Sequence, residues 1–203
     1  MILTKLISNK LKLAIDKKGT ATFVVSGGTS PLKLFEDLSK IDLPWNKVQI
    51  TLVDDRLVNK NHIHSNQKLI NDHLLKNKAK LANFIPLSEE IIKSKIIITP
   101  FDVNLLGMGE DGHFASLFPD MINDFNLFDL SADPNILTIT SHGDPFLPRI
   151  TMNLSLILKS EFIVLLVKGS IKQKIIDQAK NDNSLPIHYL LKSRTSNFLL
   201  EYI

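Results

Sequence analysis

Apolar positions along the chain switch between a helical and a strand period. Leu3, Leu6, Ile7, Leu11, Ala14 and Ile15 recur at helical spacing with lysines set among them, which predicts an amphipathic first helix. Residues 20–26 (TATFVVS) are β-branched and aromatic and run into Gly27-Gly28, as a strand entering a tight turn does. Pro31 suits a first helical position, and Leu32, Leu34, Phe35 and Leu38 give the helix after it an apolar side. The alternation then repeats. Residues 48–53 (VQITLV) predict a strand closed by Asp54-Asp55-Arg56, and a helix follows over about residues 66–75. Residues 101–106 predict a strand closed by Gly107-Met108-Gly109. After it come a strand over 136–140, a helix over 151–158, a buried strand over 162–167 and a helix over 171–179. Residues 76–98 are lysine-rich with scattered apolar positions and read only as helix and loop.

Strands alternating with helices predict an α/β fold, a mostly parallel sheet with helices on both faces. No internal repeat or low-complexity linker interrupts it, and 203 residues suit a single domain over 1–203. Ligands in such sheets bind beyond the carboxyl ends of the strands, near a topological switch point. Three polar clusters follow predicted strand ends directly, at residues 26–31, 54–56 and 107–113, so they are expected to meet at one edge.

Composition narrows the function. Against 24 Lys plus Arg stand 21 Asp plus Glu, and a net charge of +3 is too weak to argue for nucleic acid. The absence of cysteine excludes a disulfide scaffold, a thiolate nucleophile and sulfur-based zinc sites, and fits the cytoplasm. The longest apolar run, residues 162–167, is far below the roughly 20 residues that cross a bilayer. The lysine-rich first helix is read as packed on the domain; a transit peptide would be Arg-rich, and the first arginine here is Arg56.

The glycine turn at residues 27–31 sits between strand and helix, where backbone N–H groups can approach a phosphate. It lacks the Gly-Lys-Ser or Gly-Lys-Thr of a nucleotide-binding P-loop. Residues 107–112 match G-x-G-x-x-G, yet Pro119 limits any helix behind them and Asp129 follows no strand, so the match to a dinucleotide fingerprint is read as fortuitous. His113, one residue removed from Asp111 in that turn, has the chemistry of a general base or acid whose neighbouring carboxylate fixes its tautomer. Asp54, Asp55, His62, His64 and His73 could be offered as metal ligands, but the Asn59-Lys60-Asn61 loop among them reads as solvated, and no metal is expected. No G-x-S-x-G elbow surrounds Ser116. Arg56, Arg149 and Lys172 stand at element boundaries and suit a phosphorylated small molecule.

In these segments the chain resembles the 6-phosphogluconolactonases, within the wider group that includes glucosamine-6-phosphate deaminases. The resemblance is carried by SGGTSP at 26–31, Asp54-Asp55-Arg56 with Val58, Ser65-Asn66, FDVNLLGMGEDGHFASLFPD at 101–120, PRITMN at 148–153 and GSIK at 169–172. The continuation Phe114-Ala-Ser-Leu-Phe-Pro119 resembles the lactonase branch. The resemblance implies a modified Rossmann fold, a phosphorylated sugar lactone as substrate, no cofactor, and a monomer or small homo-oligomer. It assigns His113 to water activation or to protonation of the leaving ring oxygen, and Asp111 to orienting it. Gly27, Gly28, Thr29, Asp54, Arg56, Arg149 and Lys172 would bind phosphate or sugar. Two positions depart from the family pattern: Asp55 replaces a usual Glu, and the loop at 141–148 lacks a frequent lysine, for which Arg149 or His142 could substitute. The alternatives are an amino sugar phosphate deaminase or isomerase, and a non-catalytic sugar-phosphate sensor.

Overall fold

The computed structural model describes residues 2–193 and 197–203. The strands of its main sheet are β1 (Ala21–Val25), β2 (Val48–Leu52), β4 (Asn83–Phe84), β5 (Val103–Leu106), β8 (Ile163–Val167) and β9 (Phe198–Tyr202), while β3 (Asp54–Arg56), β6 (Ile136–His142) and β7 (Leu147–Met152) form a second, three-stranded sheet. The helices are α1 (Ile2–Lys18), α2 (Leu32–Ser39), α3 (Asn66–His73), α4 (Glu90–Lys93), α5 (Phe125–Phe128), α6 (Leu154–Leu158), α7 (Ser170–Ala179) and α8 (Pro186–Lys192).

The main sheet has the order β4-β2-β1-β5-β8-β9 with every pair parallel. Counted in chain order, this is the doubly wound arrangement in which the winding reverses between the first and fourth strands, here β1 and β5. Side-chain alternation builds a core on each face. Phe23, Val25, Leu105, Val164 and Leu166 pack with α1, α2 and α3, while Val24, Leu106, Leu165 and Val167 pack with α6, α7 and α8 and with Ile136, Ile150 and Met152 of the second sheet. Both faces of the central strands are buried, which explains why they read as unbroken apolar runs. Among the described residues, no helix is long and apolar enough to cross a membrane.

Three expectations are corrected. The predicted helix over 151–158 begins only at Leu154, because Thr151 and Met152 complete β7 and the Asn153 side chain caps α6 by accepting the Leu156 N–H. Pro31 is the residue before α2 rather than its first turn. The stretch 76–98 contributes the short edge strand β4 as well as α4.

At the amino end of the sheet, Asp102 is buried just before β5. Its carboxylate accepts the Thr22 N–H at 2.7 Å and pairs with Lys18 Nζ at 3.0 Å, tying β5 to β1 and to the end of α1. Asp102→Ala strands a buried N–H and is expected to cost about 1–3 kcal/mol of stability. The carboxyl-end loops lie at the other end of the strands, so a denaturant midpoint should fall while the turnover of the folded fraction is unchanged.

Candidate active site

The strand-end loops converge on a cleft of about 340 Å3 at the switch point between β1 and β5. The β1–α2 turn supplies Gly27, Gly28, Thr29 and Ser30; β3 supplies Asp54 and Arg56; α3 supplies Asn66; the segment after β5 supplies Gly107, Met108, Gly109, His113 and Ala115. Asp144, Arg149 and Lys172 complete the lining. The residues expected from the sequence thus meet in one cleft, except that Asp111 stands behind His113 instead of lining it.

The segment after β5 turns back on itself instead of opening a helix: Gly109 N–H donates to the His113 carbonyl at 2.8 Å, and Gly112 has φ +79°. Among the described residues no α-helix begins between the end of β5 and Phe125, so a dinucleotide pyrophosphate has no helix N-terminus to rest on here. A side chain on Gly109 would overlap the His113 ring and the Asp111 carboxylate, so the imidazole lies directly against the turn. His113 Nδ1 is 2.5 Å from Asp111 Oδ1, which also accepts the His113 N–H at 3.1 Å. Burial pushes the Asp111 carboxyl up, but the hydrogen bond and charge of His113 outweigh it and leave the group below its ordinary value. An ionised carboxylate only accepts, so Nδ1 carries the proton and a neutral imidazole presents the Nε2 lone pair. The Phe118 ring backs His113 at 4.7 Å between centroids.

Basic groups gather opposite each other across the second sheet. Arg56 of β3 and Arg149 of β7 are register partners in an antiparallel pair, which brings two like charges side by side. Arg149 is buried; burial first and Arg56 second lower its pKa. Its Nε donates to the His142 carbonyl at 2.9 Å and its Nη2 to the Pro145 carbonyl at 3.1 Å, so it also holds the loop that brings Asp144 to the cleft. Lys172 stands in the first turn of α7, behind Gly169 at φ +84°. Two cross-strand arginines and a lysine bordering one cleft have the chemistry suited to a compact polyanion such as a phosphate.

Several roles escape the sequence. Asp55 does not line the cleft. It accepts the N–H groups of Arg56, Asn66 and Gln67 at 2.7, 2.6 and 3.0 Å and so closes the open N-terminus of α3. His64 offers its carbonyl to Arg56 and its N–H to His62 Nδ1, and His73 pairs with Glu36. His142 bonds Asp120 at 3.0 Å and is not part of the cleft wall. Asp54 is buried, with Oδ2 accepting from Ser116 Oγ at 2.6 Å and Oδ1 near Asn66 Nδ2 at 3.4 Å. Asn66, Ser116 and Asp144 carry no sequence signal of function by themselves; the Ser65-Asn66 pair was only part of a resemblance.

A doubly wound α/β sheet whose switch-point crevice gathers two arginines, a lysine and a histidine backed by an aspartate belongs to the class of α/β proteins that bind a small ligand beyond the strand ends. The chain belongs to the glucosamine-6-phosphate isomerase/6-phosphogluconolactonase family, whose model matches residues 2–199. Among its relatives, the 6-phosphogluconolactonase of Caulobacter vibrioides is 36% identical over 193 residues, 90% of this chain and 83% of the relative. That of Mesorhizobium japonicum is 39% identical over 186 residues, 85% of this chain and 77% of the relative. The crystal structure of a 6-phosphogluconolactonase from Shewanella baltica is similar with a TM-score of 0.84 at 34% identity, covering 98% of this chain and 91% of the other.

Burial raises the Asp55 carboxyl above its ordinary value of 3.8, against the pull of the three backbone N–H groups. A carboxyl raised in the folded state stabilises while protonated, and that contribution is lost as the pH climbs through the folded pKa. The stability of the wild type relative to Asp55→Asn should therefore increase as the pH is lowered from neutral toward 3.8, measured by denaturant unfolding at a series of pH values.

Proposed function

We propose that this chain hydrolyses 6-phosphogluconolactone to 6-phosphogluconate, the second step of the oxidative pentose phosphate pathway, as a cytoplasmic enzyme formed by the single domain 1–203. The observation that carries the reading is the pairing of Arg56 with Arg149 in the same cleft as the His113 imidazole that Asp111 orients. The lactonase relatives support the choice of substrate.

In this reading Arg56, Lys172 and the backbone of Gly27, Gly28 and Thr29 hold the phosphate, with Arg149 adding charge from beneath. Asp54 borders the sugar as part of the frame around it. Anchoring the phosphate fixes the lactone carbonyl beside His113, so that binding energy at an unreacting group is converted into orientation. His113 Nε2 takes a proton from water as the water oxygen bonds to the carbonyl carbon. The tetrahedral intermediate then breaks its bond to the ring oxygen, which receives that proton, and His113 returns to its starting state. Asp111 stabilises the transient imidazolium without itself being protonated.

His113→Ala is expected to lower kcat by at least about 100-fold, in keeping with loss of a general base. Arg56→Ala and Lys172→Ala should raise KM with smaller effects on kcat. The assay follows lactone opening in a metal chelator at mildly acidic pH, where the spontaneous reaction is slow. Full activity in His113→Ala would overturn the mechanism, and turnover of glucosamine 6-phosphate in place of the lactone would overturn the substrate.

A further inference from the structure

Arg56 can serve a phosphate only if its guanidinium is held in place, and a long side chain at an edge of a cleft has several rotamers to choose from. Its Nε is buried without a hydrogen-bond partner among the described residues, so the hold comes through Nη1, which donates to Asn66 Oδ1 at 2.7 Å and to the His64 carbonyl at 3.2 Å. Asn66 is itself almost fully buried, at 3% exposure. The other end of its carboxamide donates from Nδ2 to the Asp54 carbonyl at 2.9 Å, with Asp54 Oδ1 at 3.4 Å. The amide orientation follows from its neighbours: the acceptor must face the guanidinium and the donor the carbonyl, since a flipped amide would set N–H against N–H. Its own N–H is anchored on Asp55, so the residue is fixed at backbone and side chain alike.

Two further contacts extend this. Gly27 lies so close to the Asn66 carboxamide that any Cβ there would overlap it, which fits the β1–α2 turn against the same amide. Asp54, beyond Asn66, receives the Ser116 hydroxyl, and Ser116 lies three residues past His113, with its N–H on Thr151 Oγ1 at 3.2 Å. One carboxamide therefore stands where the phosphate turn, the arginine strand and the loop carrying His113 meet.

We propose that Asn66 is the positioning residue of this site: its carboxamide aims Arg56 at the substrate phosphate and ties that arm, through Asp54 and Ser116, to the loop that carries His113. The inference rests on the proposed function for the identity of the substrate, but its physical content is affinity for a phosphate. In this view Gly27 is glycine to make room for Asn66.

The test uses the full chain with three variants, Asn66→Ala, Gly27→Ala and the double variant. Binding of inorganic phosphate is measured by calorimetry alongside KM and kcat for the lactone. Asn66→Ala should weaken phosphate binding and raise KM by about tenfold, the size of one hydrogen bond to a charged group, with a much smaller change in kcat. Gly27→Ala should do the same by displacing the carboxamide. The double variant should be no worse than Asn66→Ala, because the added methyl then enters the space the amide left. A lowered melting temperature with unaltered phosphate affinity and KM would reduce Asn66 to a structural residue and overturn the proposal, as would effects of the two single variants that multiply in the double. If the wild type bound phosphate but opened no lactone, the proposed function would fall, and the phosphate titration would still decide the role of Asn66.

Discussion

The structure depends on the reversal of winding between β1 and β5. Parallel strands on either side of that point send their connections to opposite faces of the sheet, so the chain leaves a crevice between two diverging loops. The β1 exit supplies a glycine turn that leads into α2, and the β5 exit supplies the turn that carries His113. Parallel pairing of β1 with β5, from Phe23 opposite Val103 to Val25 opposite Leu105, holds the two loops at one height. Apolar packing on both faces supplies the rigidity on which the placement of His113 relies.

A second, smaller sheet turns this crevice into a site for a particular kind of ligand. β3 leaves the end of β2 after one residue and pairs antiparallel with β7, and the register puts Arg56 opposite Arg149. Like charges at that spacing disfavour each other, and an anion between them would relieve that repulsion. The protein offsets it in part with its own groups: Arg149 is turned onto two backbone carbonyls, and Arg56 onto Asn66 and the His64 carbonyl. The negative charges nearby are kept occupied as well, Asp54 by Ser116 and Asn66, Asp55 by the first N–H groups of α3. Asp54 and Asp55 are thereby committed to the framework, while Asp144 shares the cleft lining with Arg56, Arg149 and Lys172.

How much of this could be read from the sequence follows from the range of the forces involved. The central strands and α1, α2 and α7 are visible because burial on both faces or on one stripe imposes a period on adjacent residues. β3 and β7 are not, since Asp54-Asp55-Arg56 has no apolar alternation and only Asn153 separates the Thr151-Met152 end of β7 from the apolar residues of α6. The helix α8 had a signal in Pro186 at its first turn, and β9 in the Phe198-Leu199-Leu200 run, but both are short and set between polar segments of the sequence. That His113 and the basic trio would come together was legible because His113 lies in a glycine-punctuated turn after a strand and Arg56, Arg149 and Lys172 stand at element boundaries. Asn66 was not, because an asparagine at a helix start is ordinary until Gly27, Arg56 and Asp54 are brought around it. The same holds for Asp55, whose helix-closing role is a matter of three-dimensional proximity to α3.

On the proposed function, a phosphate held by the Arg56 side of the cleft presents the reacting carbon to His113. A crystal structure with the product 6-phosphogluconate bound tests it most directly. The phosphate is expected against Gly28, Thr29, Arg56 and Lys172, with the carboxylate carbon that was the lactone carbonyl beside His113 Nε2. A phosphate seated at His113, or a product bound outside this cleft, would contradict it.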